Sequence, residues 1–236
     1  MKKRAYSALA FVIIAAMALA LPPSIQAVQA LPACTTSGTS GDDVLIGTPQ
    51  DDVICGAEGN DVITGKGGSD FLIGGPGDDE LRGGTGPDRI WGGSSWQDPD
   101  PGADTLYGGR DRDSLSGGGG RDSIFGGPGP DDVYSGQRDD IVRLGGGADQ
   151  FIDVVPHSGN DRIFGERGRD GIAALGGHDD VYGGPGGDRC LMTKDAGGGD
   201  LIRGGPGVDK SFADRSDGVR AEQHGNGFPR GCSLID

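Results

Sequence analysis

The chain has 236 residues and a formal charge of −15, and 50 of its residues are glycine. Leu, Ile, Val and Phe make up about a fifth of it, too few for an ordinary globular core of this length and close to the composition of disordered chains. The acidic balance argues against nucleic acid and anionic membrane as partners, because both select a basic face, and it suits cations.

Lys2, Lys3 and Arg4 precede an unbroken apolar run from Ala8 to Leu21, too short and wrongly flanked for a membrane span. Val28-Gln29-Ala30 supplies small residues at the −3 and −1 positions of a cleavage site. Residues 1–30 therefore read as a secretory signal peptide, with cleavage after Ala30 or after Ala27. Its removal takes away three positive charges and no negative one, moving the charge from −15 to −18. Leu31-Pro32-Ala33-Cys34 also resembles a lipoprotein box, which would make Cys34 a lipid anchor; against it, the apolar run ends well before that point. No other segment is apolar enough to span a bilayer.

Residues 31–37 form a short lead-in. The four cysteines, Cys34, Cys55, Cys190 and Cys232, fall as one pair near each end of the exported chain. Export permits disulfides, and four cysteines allow three connectivities. The pairing Cys34–Cys55 with Cys190–Cys232 would staple each terminus; the spacings match no zinc pattern.

From Gly38 the sequence can be written in nines: GTSGDDVLI, GTPQDDVIC, GAEGNDVIT, GKGGSDFLI, GGPGDDELR, GGTGPDRIW. An insertion around Ser95–Pro101 interrupts the frame, which resumes at Gly102. Short insertions near Asp153–Val155 and Met192–Lys194 shift it again, and the last unit ends at Phe212. This frame contains eighteen units. The sixth position is Asp throughout: Asp43, Asp52, Asp61, Asp70, Asp79, Asp88, Asp104, Asp113, Asp122, Asp131, Asp140, Asp149, Asp161, Asp170, Asp179, Asp188, Asp200 and Asp209. The fourth is Gly except at Gln50, Asp111 and Arg138, and the eighth is Leu, Ile, Val or Phe except at Cys190 and Ser211.

A unit that is half glycine-rich turn and half a three-residue strand cannot bury its one apolar side chain alone, so it has to stack on copies of itself. The expectation is all-β: a solenoid with two units per coil turn, its thin core built from Leu45, Ile54, Ile63, Leu72, Leu81, Ile90 and their successors. Stacking repeats the Asp about every 4.8 Å. Bare carboxylates in such columns repel one another, so a cation is required. Carboxylates with main-chain carbonyls in a flexible loop are a hard, oxygen-only donor set that favours Ca²⁺.

The nonapeptide resembles the RTX (repeats-in-toxin, hemolysin-type) calcium-binding repeat, G-G-x-G-x-D-x-U-x, over residues 38–212. The resemblance implies a parallel β-roll of about eighteen units. It also implies multiple Ca²⁺ ions between the turn of one unit and that two units later, held by the position-six carboxylates and turn carbonyls. Metal uptake and folding then become one event, because a highly charged chain with a thin core should be largely disordered without metal.

The ninth-position residues Tyr107, Phe125, Phe164 and Tyr182, interrupted by Arg143, share one outer face. They form either a stripe for an extracellular glycan or protein partner or simple packing between rungs. Trp91 and Trp96 flank the insertion with Asp98 and Asp100. Residues 213–236, with Arg215, Arg220, Phe228 and Cys232, suit a C-terminal cap over the open end of the coil.

Enzyme chemistry has little to rest on. His157, His178 and His224 are scattered, and H-E-x-x-H, G-x-S-x-G and G-K-[ST] are absent. Carboxylate pairs such as Asp42/Asp43 could pass for a glycosidase dyad, but cation binding uses them better. The expected protein is a secreted, non-enzymatic calcium-binding module acting outside the cell. The alternative is an accessory to, or itself, a secreted hydrolase or toxin component using the acidic turns.

Overall fold

The computed structural model describes residues 32–95, 102–153, 159–193, 200–207 and 211–213. Among these, nineteen strands follow one another: β1 Thr36–Ser37, β2 Val44–Ile46, β3 Val53–Cys55, β4 Val62–Gly67, β5 Phe71–Ile73, β6 Glu80–Thr85, β7 Arg89–Trp91, β8 Thr105–Arg110, β9 Ser114–Gly119, β10 Ser123–Pro128, β11 Asp132–Gln137, β12 Ile141–Gly147, β13 Gln150–Asp153, β14 Arg162–Gly168, β15 Gly171–Ala174, β16 Asp180–Tyr182, β17 Arg189–Thr193, β18 Leu201–Arg203 and β19 Ser211–Ala213. The odd strands form one parallel sheet of ten and the even strands a second of nine. Each strand therefore pairs with the strand two further along the chain, and the backbone winds as a β-roll.

The register follows the nine-residue frame. Leu45 faces Ile63 and Ile54 faces Leu72, an offset of two units. Across the first insertion Leu81 still meets Leu106, and across the second Val142 meets Ile163. Both insertions fall between strands in the chain, and the ladder keeps its phase across them.

Packing explains that phase. The eighth-position side chains from Ile54 to Val181 are buried and form one core between the two sheets, joined by Leu144 and Ala174 at first positions that elsewhere carry glycine. Positions seven and nine point outward, as the alternation of a strand dictates. At the amino-terminal edge this leaves Val44 72% and Ile46 59% exposed.

Tight turns between strands demand left-handed backbone, as at Gly75 (φ 114°) and Gly77 (φ 137°). Two of the three departures from glycine at position four, Asp111 (φ 81°) and Arg138 (φ 80°), adopt the same conformation. Left-handed backbone costs a non-glycine residue about 1–2 kcal/mol, and the neighbouring rungs hold the turn in shape.

The regular coil has about eight turns, so eighteen units overstates it. Its regularity fails towards the carboxyl end for a physical reason. Position eight loses its apolar side chain at Cys190 and Ser211, and the β15–β17 pairing slips between Gly171 and Ala173. The final units also run through residues 194–199 and 208–210, outside the described residues. Also outside them lie the signal peptide 1–30, the insertion with Trp96, Asp98 and Asp100, His157, His224, Asp209 and the cap 214–236 with Cys232.

At the amino-terminal end Cys34 and Cys55 form a disulfide, as expected from their spacing in the chain. Cys34 is thus engaged as a cystine and not as a lipid anchor. The Cys190–Cys232 pairing falls outside what is described.

Candidate functional site

The position-six aspartates stand in two columns, one for each edge of the roll. One runs Asp43, Asp61, Asp79, Asp104, Asp122, Asp140, Asp161, Asp179 and Asp200; the other runs Asp52, Asp70, Asp88, Asp113, Asp131, Asp149, Asp170 and Asp188. Within each column the backbone N–H of one Asp donates to Oδ1 of the Asp one coil turn on, for example Asp61 to Asp79 at 2.7 Å and Asp113 to Asp131 at 2.9 Å. The Asp main-chain carbonyl in turn accepts from the strand of that next turn, as Asp61 O does from the Glu80 amide at 2.8 Å. Each aspartate thus ties two turns together through its backbone and one carboxylate oxygen.

The second oxygen is different. From Asp61 to Asp200 these residues are all nearly fully buried. Oδ2 of Asp61, Asp70, Asp88, Asp113, Asp122, Asp131, Asp140, Asp149 and Asp170 is buried with no hydrogen-bond partner. An unsatisfied buried carboxylate oxygen is among the most costly groups a fold can carry.

Except at Asp140 and Asp149, whose units begin with Ser135 and Leu144, these oxygens point into a space kept open by the first-position glycines. A Cβ built on Gly108 would lie 2.6 Å from Asp113 Oδ2 and 2.6 Å from the main-chain oxygen of Gly126. The same convergence of a carboxylate and a carbonyl one turn on recurs beside Gly56, Gly65, Gly74, Gly83, Gly117, Gly126 and Gly183. Only glycine leaves such a cradle empty, and the donors around it are all hard oxygens. Among the described residues no three His, Cys, Asp or Glu side chains gather into a compact metal-ligating group. An ion here therefore has to take main-chain carbonyls as well as carboxylates, and the cradles offer both. The residues present fit a hard divalent cation.

The electrostatics agree. Burial pushes Asp88 and Asp149 up to about 6, Asp122, Asp131 and Asp170 up to about 7, and Asp113 up to about 8, against an ordinary 3.8. Holding Asp122 ionised without a counter-charge costs about 4 kcal/mol by that measure. Asp140 and Asp161 are raised further, by burial first, then by the carboxylates of Asp161 on Asp140 and Asp179 on Asp161, and to a lesser extent by Asp153, which pairs in register with the first-position Ala174. Ser135, at another first position, donates its hydroxyl to Asp161 Oδ2 at 3.4 Å.

A second ladder, unread in the sequence, runs along the fifth position. Asp42 Oδ1 accepts from the Asn60 amide, Asn60 Oδ1 from Asp78, and Asp78 Oδ1 from Ala103, at 2.7–2.9 Å. It resumes from Asp139 to Asn160 and from Asn160 to His178. The recurrence of Asp or Asn just before the invariant Asp was its only signal. These side chains are exposed, and they bridge turns without burying charge.

The aromatic stripe resolves into packing between rungs. Tyr107 stacks on Phe125 with centroids 4.9 Å apart, and Phe164 on Tyr182 at 5.0 Å. Arg82 lies over Tyr107, Arg143 over Phe164 and Arg203 over Tyr182, at 4.7–5.2 Å. Faces of Tyr107, Phe164 and Tyr182 are thus covered by a neighbouring ring and by a guanidinium group. Trp91 instead packs edge-on to Phe71 on the opposite sheet.

Among the described residues no helix is long and apolar enough to cross a membrane. A family model described as RTX calcium-binding nonapeptide repeat (4 copies) matches residues 37–72, 73–96, 99–133, 125–152 and 157–190. No curated protein matches the chain.

Proposed function

The chain belongs to the RTX calcium-binding nonapeptide repeat family, and on that premise we propose that its two Asp columns are the calcium ligands and that calcium uptake drives the coil to fold. The observation that carries this reading is the row of buried Oδ2 atoms without partners, which at Asp61, Asp70, Asp88, Asp113, Asp122, Asp131 and Asp170 adjoin a glycine-lined cradle that also holds a carbonyl oxygen. Bound there, calcium supplies the positive charge that stacked carboxylates lack. The residues themselves do the rest. Oδ1 holds the preceding turn in register, glycine keeps the cradle open, and position eight closes the core behind it.

A single site at free calcium tenfold above its Kd contributes roughly 1.4 kcal/mol. Many weak sites therefore add up to a fold that exists where calcium is abundant, and millimolar calcium is the extracellular condition. The basic n-region and apolar run of residues 1–30 support export, and the disulfide at Cys34–Cys55 suits an oxidising compartment. The reading is a secreted structural or binding module outside the cell, with no catalytic role for the acidic turns. Residues 213–236 act as its carboxyl-terminal cap. A protein surface is the better-suited partner for its outer face than a glycan, since sugar stacking needs aromatic faces and those of Tyr107, Phe164 and Tyr182 are covered by a neighbouring ring and by a guanidinium group.

Far-ultraviolet circular dichroism of the metal-stripped chain tests the coupling. A cooperative rise of β signal with Ca²⁺ and not with Mg²⁺ is expected. Full β structure without metal, or an equal response to Mg²⁺, refutes it.

A further inference from the structure

The first two units depart from most later ones at their second position. Most of the later described units place there a residue of positive φ, glycine or otherwise, such as Ala57 at 89°, Lys66 at 83°, Gly84 at 116° and Glu166 at 65°; Gly93 and Leu175 are the exceptions. Thr39 and Thr48 hold the same place in units one and two, and neither has a positive φ.

That change of backbone turns the threonine amide onto the carboxylate. Thr39 donates its N–H to Asp43 Oδ2 at 2.6 Å and its hydroxyl to the same oxygen at 2.8 Å. Thr48 does the same to Asp52 Oδ2, at 2.6 and 2.9 Å. Each hydroxyl oxygen also accepts from an amide two residues on, Gly41 at 3.3 Å and Gln50 at 3.2 Å, which leaves the hydroxyl proton for the carboxylate. One coil turn later, Asp61 and Asp70 have no such donors, and their Oδ2 atoms are without a partner.

We propose that Thr39 and Thr48 stand in for the cation at the head of each Asp column, so that the ion ladder begins at Asp61 and Asp70. This rests on the calcium reading above and sets its boundary. Two short, charge-assisted bonds to one oxygen stabilise the ionised carboxylate, which is the task a cation performs further along. To admit an ion, the hydroxyl would have to turn away and the amide would have to leave. The same end of the coil carries the Cys34–Cys55 disulfide, and β1 covers the edge of β3. An exposed terminal rung needs a cap, and here hydroxyls, amides and one covalent bond provide it without metal.

The test counts calcium bound to the oxidised full-length chain by equilibrium dialysis at saturating free Ca²⁺, with circular dichroism in calcium to establish that each variant is folded. Thr39→Gly/Thr48→Gly restores the glycine of the repeat and removes the hydroxyls; it should bind about two more ions than wild type. Ala57→Thr transplants the cap one turn inward and should bind about one fewer. Thr39→Ser/Thr48→Ser keeps both hydroxyls and should match wild type. Equal counts for wild type, the glycine pair and Ala57→Thr overturn the assignment while leaving the calcium reading intact. A wild-type chain that takes up no calcium overturns the calcium reading itself. If the glycine pair does not fold, Ala57→Thr decides alone: one ion fewer supports the proposal, and an unchanged count refutes it.

Discussion

Gly108→Ala separates a glycine needed for turn geometry from one needed to keep a cradle open. Gly108 does not have a positive φ, so alanine meets no dihedral penalty there. The new methyl would instead sit 2.6 Å from both Asp113 Oδ2 and the Gly126 carbonyl oxygen. Ordinary contact begins near 3.4 Å, so the carboxylate or the next turn has to yield by most of an ångström. Overpacking of this kind costs about 1–3 kcal/mol. An ion lost from the cradle removes a further 1.4 kcal/mol or so at free calcium tenfold above Kd. The total, about 2–4 kcal/mol, translates into a melting temperature lower by roughly 5–15 °C for a domain of this size. Gly146→Ala is the control: it also lacks a positive φ, and its nearest neighbour would be the Arg167 main-chain oxygen at 4.0 Å. It should be neutral or stabilise by up to about 1 kcal/mol through the unfolded chain. The assay is thermal unfolding in saturating calcium, paired with a count of bound ions. If Gly108→Ala melts like Gly146→Ala, or loses stability with its ion count unchanged, the cradle is a packing feature and not a metal site.

Two further outcomes follow from the columns. Asp79→Ala should weaken binding at its own level by about the worth of one ion, 1.4 kcal/mol or so, and leave a folded coil, whereas Asp70, Asp88 and Asp113 changed together to Ala should abolish calcium-induced β structure; a triple variant that folds normally in calcium would refute stacking through the column. Protons should compete with calcium. Folded-state values raised from 3.8 to about 6–8 mean that the metal-free coil binds protons more tightly than the unfolded chain does. The resulting stabilisation is complete below about pH 4 and is lost as pH rises through about 6–8. Circular dichroism in chelator should therefore gain β signal on acidification from pH 8 to 5, and calcium affinity should fall over the same range; a flat response on both counts refutes the assignment of these carboxylates.

Much of this was legible because the repeat is local and strict. An offset of eighteen residues fixes which side chains meet, so Leu45 with Ile63 and Asp61 with Asp79 could be paired on paper before any coordinates. Three things were not legible. The division of labour between Oδ1 and Oδ2 depends on where the amide of the preceding turn lies, which no periodicity encodes. The threonine caps look in sequence like ordinary tolerance at position two, because hydroxyl and glycine both suit turns; only the sign of φ reveals that the turn has changed. The aromatic stripe was correctly aligned, but whether its rings lie flat or stack depends on side-chain rotation, and here they stack in pairs. Counting units by Asp also overran the regular coil, since the Asp motif persists beyond the point where apolar residues at position eight cease.

The contrast between positions five and six explains why the column residue is Asp and not a neutral relative. Along position five from Asp42 to Asp78, one oxygen accepts an amide from the next turn. There Asp and Asn interchange within a single ladder, Asp42 to Asn60 to Asp78. Position six also uses one oxygen to accept an amide, there from the preceding turn, so Asn would serve the ladder equally well. It never appears there. Asn would offer an NH₂ to the carbonyl across the cradle and satisfy it without any ion, giving a coil that folds regardless of calcium. Asp instead presents a second oxygen to a facing oxygen, an arrangement that is repulsive until a cation lies between them. The backbone ladder sets the register of the turns, and on the calcium reading the unpartnered Oδ2 atoms, such as those of Asp61, Asp70 and Asp113, make that register conditional on metal. A metal-free fold could have been built with one atom changed per unit, and the constancy of Asp at position six is what the calcium reading predicts.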